Sequence, residues 1–242
     1  MLLKAALNGN RTLQEHANIP ISSEQLAADA QEAVLRGIGA IHIHPRDKEG
    51  TESLKRRDIE PVVSAIRKRC PTVPIGISTG EWIEPNLSIR LKYVSEWKGI
   101  IDFASVNFSE FGAIDVSRKL LELCIGVEAG LFQADAAETL VESGLAEECL
   151  RLMFEPGEET VSGALETVQV IEEVLSLHHI KGKARLLHGF NSTVWPLLME
   201  AKKRGYDARI GFEDTLYLPN QQKAKNNAEL IDAAKKLLTE ET

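Results

Sequence analysis

The sequence predicts a single (β/α)8 barrel, a TIM barrel of the α/β class, spanning residues 1–242 as one domain. Three observations carry this expectation. Eight short β-rich runs recur about every 22 to 38 residues. Each is followed by turn residues and a stretch of helical periodicity, the alternation that builds a parallel sheet. No Gly/Ser-rich linker or shift in composition divides the chain, and its length suits one closed barrel.

The first strand, Leu2 to Asn8, closes on Asn8-Gly-Asn-Arg11. A helix follows from Ser23, with Ser22 or Ser23 as its N-cap and Gly37 just past its end. The second strand, Ala40 to His44, ends in His42 and His44, and the third, Val73 to Ser78, runs into Ser78-Thr79-Gly80. The fourth, Asp102 to Asn107, ends in Ser105-Val-Asn107. The fifth, Cys124 to Ala129, is apolar up to Glu128, and the sixth is Arg151 to Phe154. The seventh, Ala184 to Gly189, contains His188. The eighth, Asp207 to Phe212, leads into Glu213 and Asp214, and a last helix, Asn226 to Leu238, completes the eighth unit. Active sites of such barrels lie where the strands' C-terminal ends meet, and the polar groups of this chain gather at those ends.

Composition narrows the partners. The chain has 28 basic and 36 acidic residues, a net charge of -8, and no Lys/Arg cluster able to grip a phosphate backbone, so nucleic acid is not expected. Cys70, Cys124 and Cys149 form no CxxC pair, which points away from a disulfide framework or a cysteine zinc site and fits a reduced cytoplasm. The N-terminal residues turn polar too early for a signal sequence, and no apolar stretch approaches the ~18 residues of a membrane span. A soluble cytoplasmic protein is expected.

The chemistry concentrates in Ala40-Ile-His-Ile-His-Pro-Arg-Asp47. Histidines at i and i+2 of a strand share one face, roughly 6 to 7 Å apart along the backbone, and two converging imidazoles make half of a divalent-metal site. A third ligand is available in Arg209-Ile-Gly-Phe-Glu-Asp214, where alternation favours Glu213 over Asp214. Two histidines and one carboxylate leave coordination positions open, as in catalytic zinc sites, though another divalent metal would suit the same donors. The carboxylate not bound to metal becomes the candidate base. Arg209 on the inward face requires anionic partners, either substrate or a structural carboxylate. Glu128 at an inward strand end needs a cation or a ligand. Ser78 and Thr79 read as substrate contacts or as caps of the following helix. His188 reads equally as a ligand, a proton carrier or a hydrogen-bonded imidazole, and Asn191-Ser-Thr193 reads as a helix N-terminus. His16, His178 and His179 are expected at the surface.

Taken in order, Ala6-Leu-Asn-Gly-Asn-Arg11, the HxHxRD run with Gly50, Ile77-Ser-Thr-Gly80, Ser105-Val-Asn107, Val127-Glu128, the RxGxED run and Asn226-Asn-Ala-Glu-Leu230 resemble the β-keto acid cleavage enzymes. The match spans nearly the whole chain. The resemblance implies a zinc barrel, tetrameric, that exchanges an acyl unit between a β-keto acid and acetyl-CoA, giving acetoacetate and a new CoA thioester by a retro-Claisen step. It implies His42, His44 and Glu213 as zinc ligands, and Arg209 with Asp214 as the deprotonating dyad. It implies substrate contacts from Ser78 and Ser105, which hold the carboxylate, and from Glu128 at the distal end. Asn8, Arg11, Thr79, Gly80 and Asn107 lie in the same matching segments and join the expected substrate-binding set.

Departures fall at Arg11, where the type member is acidic, at Phe154-Glu-Pro-Gly157 and His188-Gly-Phe-Asn191 in place of glycine-rich segments, and at a short Phe108 to Gly112 loop. With Arg11 present, an anionic or neutral distal group on the substrate is expected rather than an amine. Two other functions share these residues: a metal-dependent lyase or hydrolase acting on a keto acid without CoA, and a noncatalytic keto-acid sensor.

Overall fold

Short apolar runs and the amphipathic segments between them alternate as strands and helices in the computed structural model, which describes residues 1–240. The strands are β1 (Leu3–Ala6), β2 (Ala40–Ile43), β3 (Ile75–Ser78), β4 (Phe103–Asn107), β5 (Gly126–Leu131), β6 (Arg151–Phe154), β7 (Arg185–Leu187) and β8 (Asp207–Ile210). The helices are α1 (Ser23–Leu35), α2 (Arg56–Arg69), α3 (Leu87–Ser95), α4 (Ala113–Glu122), α5 (Ala134–Glu142), α6 (Val161–Leu177), α7 (Val194–Arg204) and α8 (Asn227–Thr239). Each strand pairs in parallel with its sequence neighbours, and β8 pairs with β1, so the sheet closes as a (β/α)8 barrel. No helix among the described residues is long and apolar enough to cross a membrane.

Local chemistry sets the element ends. Ser22 caps α1: its side chain accepts from Gln25 N at 3.2 Å while the Gln25 side chain accepts from Ser22 N at 2.9 Å, a capping box. Gly37 follows with φ +79°, a left-handed position that suits glycine. At the seam, buried Asn227 accepts from Phe212 N at 2.6 Å and donates to Leu7 O at 2.7 Å, tying α8 to the continuations of both β8 and β1. The last helix therefore helps hold the barrel closed.

Alternation sorts the strand residues. Leu3, Ala5, Ile41, Ile43, Ile75, Ile77, Val127 and Ile210 join the apolar layer between barrel and helices. The opposite set, including Lys4, His42, Phe103, Glu128, Met153 and Arg209, faces the barrel axis. The interior floor is ionic. Lys4 Nζ lies 2.5 Å from Glu128, whose other oxygen is 3.3 Å from Arg151 Nε, and Arg151 reaches Asp207 at 3.4 Å. Burial lowers the Lys4 pKa, opposed by the Glu128 charge. Such a cluster contributes little net stability against an apolar replacement, but removing one member strands a buried charge.

The fifth strand begins later than expected. Cys124 sits in a left-handed turn (φ 60°), so β5 runs Gly126–Leu131 and Glu128 is its third residue rather than its end.

Gly211, just past β8, passes so close to β1 that an added Cβ would overlap the Ala6 carbonyl oxygen and carbon. Backbone cannot yield as a side-chain tip can. Gly211→Ala is expected to destabilise the fold by about 3 kcal/mol, roughly 6 to 12 °C in Tm for a chain of this size. Thermal unfolding of the variant checks it, and a Tm within 2 °C of wild type would refute the close-approach argument.

Candidate metal centre and active site

His42 points inward near the end of β2, and His44 lies one residue beyond the strand. The side chain of Asn8 holds His44 there, accepting from His44 N and donating to His44 O, both at 2.9 Å. The two Nε2 atoms come within 3.1 Å of each other. Glu213 closes the triangle, with Oε2 3.8 Å from His42 Nε2 and Oε1 3.5 Å from His44 Nε2. Its approach depends on Gly9, where a Cβ would overlap Glu213 Cγ.

The residues fit a divalent cation. One donor atom from each lies within 4.8 Å of the others, and ligands about 2.1 Å from a common tetrahedral centre stand roughly 3.4 Å apart. Glu213 Oε2 is buried with no hydrogen-bond partner. Burial disfavours a charged His42 and holds its pKa well below the ordinary value, the His42-Glu213 attraction notwithstanding. At His44 burial acts the same way, but Glu213 and Glu52 outweigh it and push the pKa up to about 9. Glu52 bonds His44 Nδ1 through one oxygen and accepts from Trp82 Nε1 at 3.2 Å through the other, the carboxylate support that orients metal-binding imidazoles. The Trp82 ring stacks on His44 at 6.4 Å. His42 Nδ1 has no corresponding partner.

Arg209 joins this trio to a second carboxylate. Its Nη2 donates to Glu213 at 2.9 Å and to Asp214 at 2.5 Å, and its Nε donates to Asp214 at 3.0 Å. Asp214 is fully buried, whereas Arg209 lines the cavity. Burial raises the Asp214 carboxyl to about 6, partly offset by the Arg209 guanidinium and reinforced by Glu213. Behind Asp214, His188 stands with Nδ1 3.6 Å from Asp214 and Nε2 3.2 Å from Glu155. It is outside the metal-ligand group.

The cavity, about 450 Å³, opens at the C-terminal ends of the strands. The expected residues His42, His44, Glu213, Arg209, Ser78, Ser105, Asn107 and Arg11 all line it. All three Arg11 nitrogen groups are engaged, on Phe212 O at 3.2 Å, Glu15 at 3.0 Å and Asn191 at 2.9 Å.

Four expected substrate contacts lie elsewhere. Glu128 is sealed below the cavity by Lys4 and Arg151, a structural ion cluster rather than a distal contact. Asn8 is consumed by the His44 backbone, and Thr79 Oγ1 donates to Ser105 O at 2.8 Å. Gly80 is covered by Trp82, whose ring an added Cβ would strike. His178 and His179 are exposed as expected, but His16 is buried against Phe212 and bonds Ala224 O at 2.8 Å.

Glu52, Trp82, Phe132, Met153, Glu155 and Phe190 complete the site without having been foreseen. For Glu155 a signal existed, since it follows an apolar strand as Glu213 does; Glu-Pro-Gly reads as a turn and hid it.

Comparison with known proteins bears on this arrangement. The profile of the family described as beta-keto acid cleavage enzyme matches residues 1–241. The chain is 25% identical over 258 residues to the 3-keto-5-aminohexanoate cleavage enzyme of Fusobacterium nucleatum, covering 99% of this chain and 92% of the relative. It is 24% identical over 255 residues to the enzyme of the same name from Acetoanaerobium sticklandii, with the same coverage. Among solved structures, the apo structure of ObcA superposes with a TM-score of 0.70 at 13% identity, over 90% of this chain and 61% of that one. The 3-dehydroquinate dehydratase of Aquifex aeolicus VF5 gives 0.61 at 8% identity, over 98% and 97%. At these identities both structures speak for the fold alone.

Proposed function

The chain belongs to the beta-keto acid cleavage enzyme family, and from that premise we propose that it is a zinc-dependent enzyme condensing a β-keto acid with acetyl-CoA and cleaving the product to acetoacetate and a new CoA thioester. The observation that carries this reading is the convergence, in one cavity, of the His42-His44-Glu213 trio and the Arg209-Asp214 pair. A bound zinc ion would supply Lewis acidity, stabilising negative charge on the keto oxygen of the substrate.

The chain's own groups do the rest. Ser78 and Ser105 hold the substrate carboxylate from the adjacent ends of β3 and β4. The C2 proton passes to Asp214, which Arg209, lining the cavity beside it, holds in place through its Nε and Nη2 donors. The elevated Asp214 pKa suits a proton acceptor working near neutrality. The C2 carbanion attacks the acetyl carbonyl and expels CoA thiolate. The thiolate then attacks the original keto carbon, the bond from that carbon to C2 breaks, and the proton returns to C2 from Asp214. Atoms balance without a covalent enzyme nucleophile. A cavity of about 450 Å³ exceeds what a small keto acid fills, leaving room for the acyl end of a thioester. A cytoplasmic location, expected from the composition, and a homo-oligomer, expected from the resemblance, belong to the same reading.

Proton exchange tests it. Zinc-loaded protein in D₂O, followed by NMR with a panel of β-keto acids, is expected to exchange their C2 protons above the uncatalysed rate, and to form a new CoA thioester when acetyl-CoA is added. Exchange without any thioester would favour a lyase independent of CoA. The absence of exchange with every acid would overturn the enzymatic reading and favour a sensor.

A further inference from the structure

Two members of the metal trio sit on segments that run beyond the paired strands. Regular pairing of β1 with β8 ends at Ala5 and Ile210. Past that point Gly211 opens a turn in which Asp214 N and Thr215 N both donate to Gly211 O, at 2.9 and 3.0 Å, and this turn carries Glu213. On the β1 side Leu7 runs into Asn8, whose side chain holds the backbone of His44 at both its N–H and its carbonyl. Phe212, one residue before Glu213, and Leu7, one residue before Asn8, are both fully buried. Their backbone groups are cut off from water and need partners inside the protein.

A single amide supplies them. Asn227 opens α8 and is itself fully buried. Its Oδ1 accepts from Phe212 N at 2.6 Å, and its Nδ2 donates to Leu7 O at 2.7 Å and to Asp29 Oδ2 on α1 at 2.6 Å. With both hydrogens and the oxygen in use, the group cannot flip: a turned amide would set Nδ2 against the Phe212 N–H and Oδ1 against two acceptors. Burial raises the Asp29 carboxyl to about 6 against the pull of the Asn227 hydrogen bond, so at pH 7.5 it is ionised and can only accept. The N-cap of α8, where Asn226 accepts from Glu229 N at 2.9 Å, fixes the backbone from which the amide projects.

We propose that Asn227 is a positioning residue of the metal centre, its amide setting the spacing between the Glu213 segment and the Asn8-His44 segment, with Asp29 as the group that locks its orientation; the proposal rests on the metal reading above. Each segment meets the amide one residue away from the group it carries, too short a stretch of chain to absorb a shift. The spacing matters because Glu213 Cγ rests over Gly9, the residue after Asn8, and Glu213 Oε1 must stay near His44 Nε2, now 3.5 Å away, for one ion to reach both. Asn227 touches neither the donor atoms nor the cavity, so it acts through the segments it spaces. Asp29 acts one step further out, from a helix on the far side of the barrel wall.

The test uses metal-free full-length protein at pH 7.5. The readouts are zinc affinity by competition with a chromogenic chelator, the visible absorption of bound cobalt(II), which follows coordination geometry, and the Tm without metal. Asn227→Ala is expected to weaken zinc at least about tenfold and to change the cobalt spectrum, a loss of the size seen when groups that orient metal ligands are removed. The control is Leu198→Ala, a buried residue of α7, which packs beside α8. It should lower the metal-free Tm through the cavity it leaves, yet keep zinc affinity within about threefold of wild type and the cobalt spectrum unchanged. If Asn227→Ala does not fold, Asp29→Ala carries the test. It frees the amide to turn and should weaken zinc at least about fivefold, whereas Asp29→Asn, which keeps an accepting oxygen, should stay within about twofold. Wild-type zinc affinity in Asn227→Ala, or a loss no greater than that of Leu198→Ala at the same fall in Tm, would overturn the proposal and leave Asn227 as a seam contact alone. An Asp29→Asn as weak as Asp29→Ala would overturn the locking role. A wild type that takes up neither zinc nor cobalt would instead remove the metal reading, and this proposal with it.

Discussion

Replacing Asp214 with asparagine is expected to cut turnover and C2 proton exchange by about 10³-fold, the middle of the range for losing a positioned general base. Asparagine keeps the shape of the side chain and one oxygen for Arg209, but it cannot receive the proton. Substrate affinity should change by less than about threefold, because Asp214 is fully buried and Arg209, which does face the cavity, keeps its 2.9 Å bond to Glu213. Zinc content should also hold, since the trio is untouched. The rival explanation is structural: Asp214 would serve only to neutralise Arg209 in the barrel interior. In that case the variant would lose stability, because breaking a buried pair costs about 3 to 5 kcal/mol, yet its folded fraction would still exchange C2 protons. The two roles separate when Tm, zinc content and exchange rate are measured on the same sample. Exchange within tenfold of wild type would dismiss Asp214 as the proton acceptor.

The barrel was legible because its signals are local. Strand spacing, the Ser22 cap and the final helix each depend on neighbouring residues, and the closed sheet follows from repeating one unit. The convergence of His42, His44 and Glu213 was legible for a related reason: strand parity gives the face, and position at a strand end gives the height. Glu128 marks where this logic fails. Its parity was read correctly, since it does point inward, but its height depends on where β5 starts, and the left-handed turn at Cys124 moves that start to Gly126. Its true partner, Lys4, lies 124 residues away in an otherwise apolar strand, and nothing near either residue announces the pair. Glu52 and Trp82 were hidden similarly, because a loop places the Glu52 carboxylate against His44 with no periodic constraint on its course. Asn8 looked like a substrate contact because it ends a strand, yet the strand end also leaves His44 backbone groups in need of partners, and Asn8 meets that need.

Glu213→Gln is expected to lower zinc affinity by at least about 10²-fold and to abolish activity, the second large effect the site allows. The ligand set contains a single carboxylate, and the variant replaces it with a neutral amide, a weaker donor for a divalent cation. Glutamine preserves the packing against Gly9 that the close approach demands, so the barrel should survive. Linkage provides a readout independent of turnover. Wild type with zinc at about 1,000 times its dissociation constant should gain about 4 kcal/mol of stability, a rise in Tm that a chelator reverses. In Glu213→Gln the same zinc should produce little shift, and elemental analysis of the purified variant should find it largely metal-free. His42→Ala is expected to behave alike, because the 3.1 Å approach of the two Nε2 atoms makes both imidazoles necessary to enclose one ion. Stoichiometric zinc in either variant would mean that the ion sits on other residues, and a wild type whose Tm ignores zinc would mean that protons shared with Glu213 and Glu52 hold the short His42-His44 contact; either result would remove the trio as the seat of the Lewis-acid chemistry.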